Sequence, residues 1–171
     1  MHKDIQSISL LICDIDGVMT NGEIIFTENG DQLKIFNGQD GAGIKYWHRS
    51  GLIMGIISGR SSNTVVRRMK ELGVKEEYIF QGYKKKLLAY EELKSMSGLH
   101  DENIAYIGDD LPDLPVMKKV GFPISVPNGV EEVQDIARFI TSKEGGKGAV
   151  REAIEYILKA QNKWAGIMAN Y

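Results

Sequence analysis

The sequence predicts a doubly wound α/β domain: a mostly parallel sheet with helices on both faces, joined by one β-hairpin flap. Three observations predict it. Apolar runs of strand length recur along the chain, helix-like segments separate them, and acidic or hydroxyl residues close one run after another. At 171 residues the chain is expected to be a single domain spanning 1–171, large enough to hold a core without disulfide or metal staples.

The first run, residues 8–13 (ISLLIC), is continuous and apolar, as a strand buried on both faces would be. A hairpin over 23–36 follows. Its arms, 23–28 and 31–36, flank Asn29-Gly30, the favoured pair for a two-residue type I′ turn. Pairing across that turn sets Phe26 opposite Leu33 and Ile24 opposite Ile35, giving an apolar face that its own domain or a second subunit must cover. A helix is expected over 41–50 and a strand over 52–57, then a helix over 61–72, a strand, and a helix over 84–96. Strands at 104–107 and 123–126 alternate with helices at 111–119 and 131–136, and a C-terminal helix and tail occupy about 147–171. Ligands on such sheets bind beyond the carboxyl ends of the strands, so the residues that end each run carry the most information.

Composition narrows the function by exclusion. Lys plus Arg number 21 against 23 Asp plus Glu, a formal net charge of −2, which gives no broad electrostatic reason to bind nucleic acid or an anionic membrane. A single cysteine excludes an intrachain disulfide and a cysteine-based zinc cluster, and suits a reducing cytoplasm. The opening MHKDIQS is too polar for a secretory signal, and no apolar run approaches the ~18 residues of a membrane span.

Four short motifs point to chemistry. The first strand runs into Asp14-Ile15-Asp16-Gly17-Val18. A polar turn with an Asx cap would explain one such aspartate. Two carboxylates at a strand end suit Mg²⁺ recruitment, with one attacking phosphorus and the other passing a proton. Ser58-Gly59-Arg60 ends the 52–57 strand, where a hydroxyl and free N–H groups suit a phosphate oxygen, although a plain helix cap would look the same. Lys84, Lys85 and Lys86 open the next helix against its dipole, so one of them is expected to face bound phosphate. Lys86, placed before Leu87-Leu88, is the favoured one. Gly108-Asp109-Asp110-Leu111-Pro112-Asp113 then brings three acids into five positions, which repel one another unless a cation sits among them.

Taken in order, these motifs resemble those of the haloacid dehalogenase-like phosphatases, in register over residues 8–150. The resemblance implies Asp14 as the nucleophile that forms an aspartyl-phosphate and Asp16 as general acid/base. It implies Ser58 and Lys86 as phosphate clamps, and Mg²⁺ held by Asp14, Asp109 and the Asp16 backbone carbonyl. Asp110 and Asp113 are implied as supporting acids. The gaps from Asp14 to Ser58 (44 residues) and from Ser58 to Lys86 (28) have no room for a separate cap domain. A site without a cap accepts macromolecules or borrows its lid, and the hairpin favours a lid from a neighbour.

The stretches Phe36–Ile44 (FNGQDGAGI), 108–121 and 145–152 (GGKGAVRE) resemble the capless family of 3-deoxy-D-manno-octulosonate (KDO) 8-phosphate phosphatases. That resemblance implies a homotetramer in which a neighbour and the C-terminal tail close the site. It implies a cytoplasmic enzyme freeing a sugar acid for lipopolysaccharide, with substrate contacts from Asn37, Asp40, Gly41, Lys45, Arg60, Arg68 and Lys86. Gln39 stands where that family usually has arginine, and Lys45 replaces a frequent arginine, so a phosphatase of nine-carbon sialic-type 9-phosphates (KDN or N-acetylneuraminate) is the alternative. A non-catalytic sugar-phosphate-binding module and a receiver-type signalling domain are alternatives of another class; Asp16 argues against the receiver.

Other signals are weaker. GGKG lacks the P-loop spacing and its Ser or Thr, and the glycines of 38–43 do not fit a dinucleotide fingerprint. His2, His48 and His100 form no ligand pair, and Cys13 reads as a small core residue. Trp164, Ile167 and Met168 are expected to insert next door rather than pack locally.

Overall fold

The structure, a computed structural model, describes residues 3–30 and 32–171, the side chains of Lys3 and Asp4 excepted. Asp31, expected to open the second hairpin arm, and His2 lie outside the described residues. Strand β1 (Leu10–Cys13) is followed by a hairpin of β2 (Ile25–Phe26) and β3 (Gln32–Leu33), then by β4 (Ile53–Ser58) and β5 (Ile79–Gln81). Strands β6 (Ile104–Ile107), β7 (Phe122–Ser125) and β8 (Phe139–Ile140) complete the set. All but the hairpin form one parallel sheet, in the order β5-β4-β1-β6-β7-β8. Every residue of β1, β6 and β7 is buried, which is why these strands read as unbroken apolar runs.

The helices are α1 (Gly38–Arg49), α2 (Asn63–Glu71), α3 (Lys86–Ser97), α4 (Leu114–Met117), α5 (Glu131–Ile136), α6 (Ala149–Ala160) and α7 (Trp164–Met168). Helices α1 and α6 pack on each other, and α3 packs on α4. The chain builds outward from β1 first to β4 and β5, and then on the other side to β6, β7 and β8. Strand order therefore reverses at β1, whose carboxyl end is the crevice where such sheets bind ligands. No helix among the described residues is long and apolar enough to cross a membrane.

Three expectations are corrected. The helix expected over 111–119 is a 3₁₀ turn, Leu111–Asp113, followed by the short α4. Asp110 and Asp113 cap the turn reciprocally, and Pro112 and Pro115 remove two helical donors. The hairpin register is shifted by one residue: Ile25 pairs with Leu33 and Phe26 with Gln32. A type I′ turn needs Asn29 at positive φ, but there only Gly30 has one, at 84°. The Gly30 N–H donates to the Thr27 carbonyl at 2.9 Å, closing a turn over Glu28-Asn29 with the glycine behind it. The shift dissolves the single apolar face, and Ile24, Ile25, Phe26, Leu33 and Ile35 are all exposed.

The tail also differs. Trp164 lies edge-on to Tyr46 with ring centroids 5.8 Å apart, the Arg151 guanidinium lies 5.5 Å from the Trp164 ring, and Ile167 is buried. These two side chains pack on their own chain, since α7 doubles back on α6. Met168 and Tyr171 are exposed.

Candidate active site

Each of the four motifs arrives at the carboxyl edge of the sheet because the strand before it ends there. Asp14 and Asp16 follow β1, Ser58 is the last residue of β4, Lys86 opens α3 after β5, and Asp109 follows β6. Asp14, Asp16, Ser58, Arg60, Lys86, Asp109 and Asp110 line one cavity of about 580 Å³. Ile24 from the hairpin, Tyr83, Lys84 and Pro112 line it with them.

The floor is a buried charge cluster. Lys86 Nζ lies 2.8 Å from Asp14 Oδ2 and 2.7 Å from Asp113 Oδ1, and all three side chains are buried. Of the three lysines at this helix start, Lys86 turns inward, Lys84 reaches the cavity wall, and Lys85 is exposed. Burial lowers the Lys86 pKa, but Asp14 and Asp113 together outweigh it, so the amine stays protonated. The backbone N–H of Ile15 donates to Asp14 Oδ1 at 2.7 Å, which aims the carboxylate. Ser58 is buried, and its hydroxyl accepts from the Arg60 N–H at 3.3 Å.

Asp113 is fully buried and its carboxylate is saturated. It accepts from Lys86, from the Tyr106 hydroxyl, and from the backbone N–H groups of Asp109 and Asp110 at 3.1 and 3.2 Å. One of its oxygens lies with one oxygen each of Asp14 and Asp109 within 4.8 Å of one another. With its lone pairs taken, Asp113 orients Lys86 and the acidic loop and has nothing left to offer a cation. Asp109 is the opposite case: its Oδ1 is buried with no hydrogen-bond partner. A Cβ on Gly17 would collide with the Asp109 carboxylate, and the glycine's φ of 92° disfavours side chains in any case. Asp14 and an unpartnered Asp109 facing one point fit a hard divalent ion with oxygen ligands.

The electrostatics agree with that fit. Burial raises the Asp14 pKa from 3.8 to about 6, with Asp113 adding to the rise and Lys86 opposing it. Burial and then the charges of Asp14 and Asp113 raise Asp109 to about 8. Both acids therefore hold protons to higher pH in the folded chain than in the unfolded one. Between about pH 4 and pH 8 the unfolded chain binds fewer protons, so the cation-free protein loses stability as pH rises through that window. A divalent cation must displace the same protons, so it stabilises more as pH rises. Thermal melts in chelator should show Tm falling from pH 5 to pH 8, with the Mg²⁺-induced rise larger at pH 8 than at pH 5.5. A Mg²⁺ shift independent of pH would contradict the assignment of Asp14 and Asp109 to the cation.

Asp16 is held differently. Its carboxylate is ion-paired to Lys34 of the hairpin, whose side chain is only 3 % exposed. Nothing in the sequence marks Lys34, because a lysine in a hairpin of exposed apolar side chains looks like a solvated position.

Five expected substrate contacts lie elsewhere in the chain. Asn37 caps α1, its side chain accepting from the Gln39 N–H at 2.7 Å and donating to the Gly146 carbonyl at 3.4 Å. Asp40 is fully buried and accepts from the Arg151 N–H at 2.8 Å, tying α1 to the start of α6. Gly41 lies against Arg68, which pairs with Glu71 at 3.0 Å, and Lys45 is exposed on α1. None of Asn37, Asp40, Gly41, Lys45 and Arg68 lines the cavity of its own chain; of the substrate set, Arg60 and Lys86 do. The 37–41 and 145–151 motifs belong together because they touch. The 145–148 loop also backs the loop that follows β1. Gly146 N–H donates to the Val18 carbonyl, while Asn128 donates to Gly17 and accepts from the Gly145 N–H.

Known proteins resemble this chain in sequence and in fold. A family model described as haloacid dehalogenase-like hydrolase matches residues 78–154. The 3-deoxy-D-manno-octulosonate 8-phosphate phosphatase of Yersinia pestis is 42% identical over 94% of this chain and 84% of its own length. The structure of the corresponding phosphatase from Moraxella catarrhalis, in complex with a magnesium ion, a phosphate ion and KDO, superposes with a TM-score of 0.95. It is 45% identical and the match covers 98% of this chain and 95% of that one. A cobalt-bound phosphatase of the same kind from Haemophilus influenzae gives a TM-score of 0.90 at 36% identity, covering 94% of this chain and 93% of its own.

Proposed function

Because the chain belongs to the haloacid dehalogenase-like hydrolases, in their group of KDO 8-phosphate phosphatases, we propose that it hydrolyses KDO 8-phosphate with Asp14 as nucleophile. It is a phosphoric monoester hydrolase. The observation that carries the residue roles is the Asp14 carboxylate, clamped by Lys86 at 2.8 Å and facing the unpartnered oxygen of Asp109 in one cavity.

With a pKa of about 6, Asp14 is mostly ionised at neutral pH, as a nucleophile must be. An Asp14 oxygen bonds to phosphorus as the bond to the sugar oxygen breaks, and Asp16 gives that oxygen its proton. Asp16 then takes a proton from the water that attacks the aspartyl-phosphate, returning both acids to their starting states. Lys86 and Ser58 bind and orient the phosphoryl oxygens. Mg²⁺, held by Asp14, Asp109 and the Asp16 carbonyl, would offset the repulsion between carboxylate and phosphate. Arg60 and Lys84, cations in the cavity wall, would meet the substrate's own carboxylate.

The reading extends to a cytoplasmic homotetramer serving lipopolysaccharide synthesis. Its support here is the hairpin, whose exposed Ile25, Phe26, Leu33 and Ile35 would be covered by neighbouring copies, and the gaps from Asp14 to Ser58 and from Ser58 to Lys86, too short for a cap domain. In such an assembly Arg68, Lys45 and the exposed tail end of one chain would face the site of the next. A fully active monomer in sedimentation and kinetic assays would remove the borrowed lid. For the substrate, kcat/KM compared on eight-carbon and nine-carbon sugar-acid phosphates should favour the eight-carbon one by at least tenfold. A preference for the nine-carbon phosphate would transfer the assignment to the sialic-type substrates, which Gln39 keeps open.

A further inference from the structure

Asp16 must change its proton twice per turnover, yet its side chain hangs on a loop rather than in the sheet. What holds it comes from outside the sheet. Lys34 reaches from the hairpin and pairs with Asp16 Oδ1, and its side chain is 3 % exposed while that of Asp16 is 20 % exposed. Its neighbours Leu33 and Ile35 are exposed, at 51% and 70%. Asp16 lines the cavity but Lys34 does not. Among the described residues Lys34 pairs with no other acid.

A buried lysine has already lost its rotamer freedom and makes a stiff support. Proton transfer in turn tolerates little displacement of the donor; a shift near 1 Å costs on the order of 10²-fold. We propose that Lys34 is a positioning residue that holds the Asp16 carboxylate at the cavity wall, where it can reach the leaving oxygen. The hairpin is thereby part of the catalytic apparatus through one side chain, whatever else covers its apolar surface. The inference rests on the reading of Asp16 as general acid, and concerns the step in which the phosphorus–oxygen bond breaks and the Asp16 proton passes to the departing alkoxide.

Leaving-group dependence separates this role from a merely structural one. An alkyl phosphate needs a proton on its leaving oxygen, whereas p-nitrophenolate departs without one. In single-turnover experiments with Mg²⁺, Lys34→Met should slow phosphoryl transfer from an alkyl phosphate by about 10²-fold. The first-turnover burst from p-nitrophenyl phosphate should stay within threefold of the parent protein, and Lys34→Arg should recover part of the alkyl rate. Asp16→Asn should show the same discrimination, and adding Lys34→Met to it should cost little more. Equal loss on both substrates, including loss through misfolding, or no loss on either, would overturn the positioning role. If Asp16→Asn itself failed to discriminate, the acid assignment would fall, and this proposal with it. Discrimination by Asp16→Asn but not by Lys34→Met would overturn the Lys34 proposal alone.

Discussion

Asp14→Asn should abolish turnover, by at least about 10⁴-fold in kcat, with the fold intact. The amide matches the carboxylate in shape, so Ile15 N–H can still donate to it, as it does to Asp14 Oδ1 at 2.7 Å. What disappears is the negative charge that, in the proposed reaction, attacks phosphorus. Stability should rise rather than fall in cation-free buffer above pH 6. One of three crowded acids is removed, and Lys86 keeps Asp113 as its partner at 2.7 Å. Activity is measured by phosphate release and stability by thermal melting in chelator. A variant retaining more than about a hundredth of parental kcat would remove Asp14 from the nucleophile's role.

Asp113→Ala should be the most destabilising substitution in the site, although Asp113 does not line the cavity and its oxygens are already bonded within the chain. It strands the Tyr106 hydroxyl and the N–H groups of Asp109 and Asp110, and leaves Lys86 with Asp14 alone. Removing one partner from such a buried charged network costs about 3–5 kcal/mol. Lys86 and Asp109 would both lose their aim, so kcat should also fall by about 10²-fold or more. Denaturant unfolding of the variant against the parent measures the first effect. An unchanged midpoint and slope would show that the network does not carry the stability assigned to it.

The gathering of acids at the carboxyl edge of the sheet was legible in the sequence for a physical reason. A parallel strand buried on both faces must be apolar throughout, so Asp14 after β1 and Asp109 after β6 stand out where each apolar run stops. Lys86 was legible less directly, through its place before Leu87-Leu88. What stayed hidden depended on geometry between distant segments. Lys34 takes its meaning from Asp16, 18 residues earlier, and no periodicity marks that pairing. Asp40 and Asn37 sit in a motif that resembles a substrate-binding one, yet within the chain they cap α1 and join α1 to the 146–151 segment. The hairpin register turned on one backbone angle, Asn29 not adopting the positive φ that an Asn-Gly pair invites. Strand β8 has only Phe139 and Ile140 between Arg138 and Thr141, too short a run to announce a strand.

In the proposed reaction the phosphoryl group passes through Asp14. The most direct measurement is rapid acid quenching of the Mg²⁺-loaded enzyme during turnover of radiolabelled substrate, followed by peptide mapping. The enzyme should carry an acid-stable, base-labile phosphoryl label on the peptide that contains Asp14, absent from Asp14→Asn. A turning-over enzyme that never acquires the label, or that carries it on another residue, would contradict it.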